Sequence, residues 1–159
     1  MVLPVHYISK KKGMKLLDVN AGCYQIVFEL QENLSATIGS VGHFVMPQGF
    51  YVYTAKANRN LNSTIQRHLD TKKKIHCHMD YLTVNKAFKC YAVYTYPELF
   101  DPCTLHKAVL NEVHGHELIP GFGISSDDHC FSHLFYSTRN PDNLIRKIRF
   151  SFKQYRWNQ

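Results

Sequence analysis

The stretch that most constrains this chain runs from Gly49 to Tyr81. It opens on Gly-Phe-Tyr-Val-Tyr-Thr, an aromatic and β-branched run that suits a pleated sheet, entered through the turn signal Pro47-Gln48-Gly49. Small residues follow at Ala55 and Ala57, and Asn60 is then placed to cap a helix over 61–71 whose apolar stripe is Leu61, Ile65 and Leu69. Thr64 and His68 are four apart and stack on one side of that helix. Lys72, Lys73 and Lys74 come next; the helix dipole accounts for cations there as well as a phosphate contact does. His76-Cys77-His78-Met79-Asp80-Tyr81 reads as a polar strand entry. Cations, tyrosines and histidines thus converge on one short segment, as a phosphate-handling site requires.

The remaining chain is consistent with one compact domain. At 159 residues it is long enough for one buried core and too short for two ordinary domains. No apolar run approaches the roughly 18 residues of a membrane span. The first fifteen residues hold Lys10, Lys11, Lys12 and Lys15 and no continuous apolar region, so they are not read as a secretion signal, and the cytoplasm is the expected compartment. Five cysteines, an odd number, point to reduced thiols instead of a disulfide framework. The net charge of +7 is uneven: +5 falls from Arg139 onward and +2 on everything before it. A basic balance favours polyanionic partners, and a solvated basic tail is the blander alternative.

Residues 1–19 read as a basic lead-in. Strands are expected over 22–30, 35–40, 43–46, 50–54, 87–96 and 131–137, with Gly42 at a turn or bulge. Asp101-Pro102 is a helix start, with Leu105, Ala108 and Val109 on its buried face and Gly115 as its stop. Residues 119–129 form a Gly/Ser/Asp-rich loop. Asn140-Pro141-Asp142 caps a last helix, with Leu144, Ile145, Ile148 and Phe152 opposite Arg146, Lys147, Arg149 and Lys153. The expected class is α+β, a largely antiparallel central sheet flanked by helices.

Six blocks in order carry a family resemblance: Gly22-Cys23-Tyr24, Gly49 to Ala57, Leu61 to Leu69, His76 to Leu82, Pro102-Cys103, and Gly121-Phe122-Gly123 followed by Ser126 to Phe135. On these the chain resembles the GIY-YIG nuclease superfamily, in its small branch of unknown function, over residues 20–138; the basic helix and tail over 139–159 lie beyond it. The resemblance implies a compact sheet flanked by helices. It also implies a site of tyrosines, arginine and a glutamate that holds a divalent cation, magnesium or manganese, for phosphodiester hydrolysis. The signature tyrosines fall on Tyr24 and Tyr53, and the helix histidine on His68. A tyrosine positions or deprotonates the attacking water, a guanidinium grips the phosphate, and a carboxylate holds the hard cation.

Several positions depart from that pattern. Thr64 stands where the resemblance expects arginine, and Pro102 where it expects glutamate; Ala55-Lys56 replaces a Gly-Ser pair. Lys56, Arg59 or Arg67 could supply a cation in place of position 64, and Glu98 or Glu112 a carboxylate. The expectation is a divergent framework acting on nucleic acid with weak or no hydrolysis.

A second constellation concerns metal. His76 and His78, two apart, would share a face of a strand; Cys130 and His133 have Cys-x-x-His spacing, and Cys103 opens a helix. Together they could assemble a tetrahedral zinc site, with Asp80 as a supporting group. Alternatively the histidines bond Asp80 or backbone groups and the cysteines pack as small apolar residues. The readings left open are a metal-dependent nuclease, a non-cutting nucleic-acid binder and a protein-interaction domain. In the second, Arg146, Lys147, Arg149, Lys153 and Arg156 contact phosphates while Tyr155 and Trp157 stack on bases. In the third, the apolar stripe of the last helix docks on a partner.

Overall fold

The computed structural model describes residues 21–96, 101–124 and 129–157, with 150–157 described by backbone alone. The lead-in over 1–19, Glu98, Ser126, Asp127 and Asp128 lie outside the described residues, as do the side chains of Phe152, Lys153, Tyr155, Arg156 and Trp157.

The elements in order are β1 (Gly22–Leu30), β2 (Leu34–Ile38), β3 (Gly42–Met46), β4 (Gly49–Ala57), α1 (Leu61–Leu69), α2 (His78–Thr83), β5 (Phe88–Tyr96), α3 (Pro102–Val113), β6 (Leu134–Ser137) and α4 (Asp142–Trp157). Four strands form one antiparallel sheet in the order β5-β1-β4-β6, and β2 and β3 form a separate hairpin. The α+β architecture is the one the hydrophobic pattern implied. No helix among the described residues is long and apolar enough to cross a membrane.

β1 is the central strand and is buried on both faces, which is why its sequence is apolar almost throughout instead of alternating. Tyr24, Ile26, Phe28 and Leu30 face a cluster completed by Tyr51 and Tyr53 of β4, Leu61 and Ile65 of α1, Met79 and Leu82 of α2, and the hairpin's Ile38 and Met46. Cys23 and Val27 face a second cluster with Val52, Tyr94, Leu105 and Val109 of α3, Phe135 and Ile145 of α4. Each such aliphatic or aromatic side chain contributes about 1.5–3 kcal/mol on burial. Gln25 is fully buried in this second layer, where its amide donates to Thr54 Oγ1 at 3.0 Å and its carbonyl oxygen accepts from the Tyr96 hydroxyl at 2.7 Å. A buried amide with partners on both ends costs little and fixes the register of three strands.

Several local expectations are corrected. His78–Thr83 is a helix, not a strand entry, because Met79 and Leu82 at i, i+3 enter the core while Asp80 bonds back to the Cys77 N–H at its start. Asn60 stands at the start of α1 in the left-handed conformation (φ 56°, ψ 41°) and makes no side-chain cap; Ser63 Oγ bonds its carbonyl at 3.0 Å instead. The helix ends at Leu69, since Asp70 is already extended. At the end of α3 the left-handed residue is His114 (φ 55°), not Gly115. Gly115 is required for a different reason: a Cβ there would lie 2.5 Å from the Phe135 ring. Gly49 combines both demands, with φ 149° and a Cβ position 2.6 Å from the Tyr136 ring.

The N-terminus of α4 is tied down by the Tyr94 hydroxyl, which donates to the Asp142 carboxylate, and by Asn140 Oδ1, which accepts from the Asp142 N–H at 3.0 Å. Ile145 is buried beneath α3 and Ile148 packs half-buried against the same cluster, so these two residues of the α4 apolar stripe serve the chain's own core. Replacing Ile145 by Ala should lower unfolding free energy by about 2–4 kcal/mol in urea titration. A loss below about 0.5 kcal/mol would mean that α4 does not dock on the sheet.

Candidate functional site

On the face of the sheet covered by α1 and α2, one cleft of about 340 Å³ is lined by Tyr24, Tyr53, Ala55, Lys56, Thr64, Arg67, His68, Cys77, Pro102, Gly123 and His133. Strand register builds its floor. Tyr24 pairs with Ala55 and Ile26 with Tyr53, so the two tyrosines are diagonal neighbours on adjacent strands, with ring centroids 6.3 Å apart. α1 crosses above them and brings His68 down, 5.8 Å from the Tyr24 ring and 5.4 Å from that of Tyr53. The Tyr24 hydroxyl and His68 Nε2 are 2.9 Å apart. All three residues singled out as catalytic candidates therefore meet.

What holds His68 in place is Asp80. Its fully buried carboxylate accepts from the Arg67 guanidinium at 2.5 Å, from the His76 N–H at 2.7 Å and from the Cys77 N–H at 3.1 Å. Lys73 Nζ lies 3.4 Å from its other oxygen, and His68 Nδ1 lies 3.9 Å from that same oxygen. Burial by itself would raise the Asp80 carboxyl; the bonds from His76, Arg67 and Cys77 override it and hold the group well below the usual carboxylate range. Lys73 also donates to the carbonyls of Arg67 and His68, at 2.7 and 3.1 Å, and to Thr83 Oγ1 at 2.6 Å. One lysine of the run thus caps the C-terminus of α1 and joins it to α2.

Burial, reinforced by the adjacent Arg67 cation, lowers His68 to about 4. At neutral pH the imidazole is therefore uncharged. Its Nε2 is hydrogen-bonded with the Tyr24 hydroxyl, and its Nδ1 faces Asp80 Oδ1 at 3.9 Å, the side on which the neighbouring carboxylate favours the ring proton. Burial, with Tyr53 beside it, raises the Tyr24 phenol far above its ordinary value. Tyr24 is accordingly a neutral hydroxyl that can orient a group in the cleft, and a poor candidate for a base.

The other candidates divide. Lys56 is exposed at the rim, and Arg67 lines the wall while engaged by Asp80; Arg59 is exposed in the turn after β4 but does not line the cleft. Arg146 is exposed and bonds Asp142 one turn back at 3.1 Å, and Lys147 is exposed. Arg149 is corrected: it is buried, bonds the Thr95 carbonyl at 3.2 Å through Nε and covers the Tyr96 ring at 5.4 Å, so it is a core residue and not a phosphate contact. Lys153 and Arg156 lie outside the described side chains. Glu112 is exposed on α3 and does not reach the cleft.

The histidine–cysteine constellation is rearranged. His76 is exposed ahead of α2, while His78 Nδ1 accepts from the Gly123 N–H at 2.9 Å, so the two do not share a strand face. Cys103 and Cys130 form a disulfide, which corrects the expectation of reduced thiols throughout; Cys23, Cys77 and Cys90 are outside it. His133 lies beside that bond, with Nε2 3.8 Å from Cys103 Sγ. Sequence reasoning missed Cys77, whose sulfur accepts from Arg67 at 3.6 Å, and the fastening role of Lys73. No spacing rule marks either one.

The surroundings of His68 and Asp80 make stability depend on pH. The folded-state value of about 4 for His68 is below the ordinary 6.5, so its contribution to stability is complete above pH 6.5 and is lost as pH falls from 6.5 through 4. Asp80, also lowered, loses its contribution below its ordinary 3.8. Denaturant titration from pH 7.5 to 4 should show a decline of about 2–3 kcal/mol that His68→Gln removes, and an unchanged slope in that variant would reject a buried neutral His68.

A family model described as a domain of unknown function, DUF123, matches residues 23–155. Comparison with curated proteins and with solved structures returns no match.

Proposed function

The chain belongs to the DUF123 family, and we propose that it binds nucleic acid through the Tyr24–Tyr53–His68 cleft of a GIY-YIG-like framework, with weak or no hydrolysis. The observation that carries this reading is the lining of the cleft. The motif tyrosines and histidine converge there with Lys56 and Arg67, while Thr64 and Pro102 occupy the wall where the resemblance expects arginine and glutamate.

A hard divalent cation such as magnesium or manganese requires oxygen ligands, carboxylates above all. None of the described residues lining the cleft carries a carboxylate, and the nearby Asp80 is taken up by Arg67, Lys73 and two backbone N–H groups. The described lining therefore does not fit such an ion. Each missing electrostatic stabiliser lowers a rate by about a hundredfold or more, roughly 3 kcal/mol. The groups present are suited to holding a phosphodiester. Lys56 supplies a point charge at the rim, and the part-exposed edge of Arg67 supplies N–H donors beside the buried Tyr24 and Tyr53.

Fluorescence anisotropy with labelled single- and double-stranded DNA and RNA should show binding that weakens steeply with salt. Lys56→Ala, by removing one cation from the phosphate backbone, should flatten the log–log slope by about one unit. Salt-independent absence of binding to all four would reject the proposal. The same samples with magnesium or manganese should show no efficient cleavage. Efficient cleavage abolished by Tyr53→Phe and by His68→Ala would favour the nuclease reading instead.

A further inference from the structure

Beside the cleft, Cys103 at the start of α3 meets Cys130 and His133, which are three residues apart in the segment leading into β6, and one donor atom of each lies within 4.8 Å of the other two. All three residues are buried. The imidazole is held more firmly than a packing residue needs. The His133 N–H donates to the Phe122 carbonyl at 2.8 Å, its carbonyl accepts from the Thr54 N–H at 3.0 Å, and its Nδ1 lies 2.7 Å from the Thr54 carbonyl. A carbonyl oxygen only accepts, so in the neutral ring Nδ1 carries the proton and the Nε2 lone pair is directed toward Cys103 Sγ at 3.8 Å. Fixing one ring nitrogen on a backbone carbonyl so that the other presents its lone pair is the usual support of a metal-ligating histidine. Beside a disulfide alone, that orientation accomplishes nothing covalent.

We propose that reduction of the Cys103–Cys130 disulfide converts this trio into a site for a thiophilic divalent cation of the zinc class, bound by Cys103 Sγ, Cys130 Sγ and His133 Nε2. Two thiolates and an imidazole select zinc over magnesium or calcium, and two thiolates neutralise the ion's charge in a buried place. Tetrahedral zinc with bonds of about 2.3 Å to sulfur and 2.0 Å to nitrogen puts its ligand atoms about 3.5–3.8 Å apart. The His133–Cys103 separation of 3.8 Å already meets that, and the two sulfurs need only rotate apart once their bond is broken. Cys103 is the second residue of α3, where the helix dipole favours negative charge. His106, one turn further along, is outside the set, its Nε2 held by Glu117 at 3.2 Å. Three protein ligands leave a fourth position, and since His133 and Pro102 both line the cleft, that position is at the cleft wall. Reduction by a phosphine consumes one water, yields the phosphine oxide and returns two thiols; metal binding then releases their two protons.

The second cluster of ligand-type residues, His68, Cys77 and Asp80, is a poorer host. Arg67 and Lys73 already neutralise Asp80 and would repel a divalent ion, and His68 Nε2 is engaged by Tyr24. Metal binding by the Cys103–Cys130–His133 trio is independent of whether the cleft holds nucleic acid.

The test uses the full chain, reduced with a phosphine and titrated with cobalt(II) and then zinc. One equivalent of cobalt should give thiolate-to-metal charge transfer and tetrahedral visible bands, and one equivalent of zinc should displace it. The oxidised chain should show neither. Cys130→Ser and His133→Asn should weaken zinc binding more than ~100-fold, while Cys77→Ser leaves it unchanged. In the wild-type chain, which avoids any folding defect of a variant, zinc should slow alkylation of Cys103 and Cys130 and not of Cys90. The proposal is overturned by a reduced chain that retains no zinc, by equal binding in the oxidised chain, or by binding that follows Cys77 instead of Cys130.

Discussion

The candidate site depends on one buried carboxylate. Asp80 accepts two backbone N–H groups at the start of α2, a guanidinium from α1, and the approach of Lys73 from the connection between the helices. Removing one partner from such a cluster strands the others at a typical cost of about 3–5 kcal/mol, so the group behaves as a unit. Its consequence for the site is positional. With α1 and α2 locked together, His68 is pressed onto Tyr24 and Tyr53 in a place too dry for it to be charged.

The sheet supplies the complementary constraint. β1 and β4 pair over nine residues, and because successive side chains alternate faces, this register alone decides that Tyr24 and Tyr53 share a face while Cys23 and Val52 lie behind them. The Gln25–Thr54–Tyr96 network on the rear face resists a one-residue slip, since a slip would strand a buried amide. Cleft geometry is therefore fixed by interactions on both sides of the sheet, including residues that never reach the cleft.

Ionisation follows from the same packing. Arg67 at the wall is divided between Asp80 and the cleft, and Tyr24 is held as a neutral hydroxyl. The described lining of the cleft thus combines the cations Lys56 and Arg67 with Tyr24, whose hydroxyl stays neutral. The disulfide links the start of α3 to the segment before β6, next to Pro102 and His133 in the cleft wall.

The sequence by itself determined the strands, the helices at 61, 102 and 142, and the α+β class, because period-2 and period-3.6 hydrophobic patterns and the Asp101-Pro102 and Asn140 starts are local signals. That Tyr24, Tyr53 and His68 belong together followed from the resemblance that the motif blocks carry, and the structure brings the three side chains into contact. Tertiary structure alone decided the rest. Residues 78–83 are too short a helix to show a period, so the expectation of a strand failed until Met79 and Leu82 found the core. Arg149 sits at a position that a helical wheel draws as solvent-facing, yet the proximity of Thr95 and Tyr96 turns it inward. Cys103 and Cys130 are 27 residues apart, and no count of cysteines could pair them; only the return of the chain after α3 to the edge of β4 brings their sulfurs together beside His133. Local pattern specifies an element's type, whereas partnership across the sheet depends on register and packing, which no single segment carries.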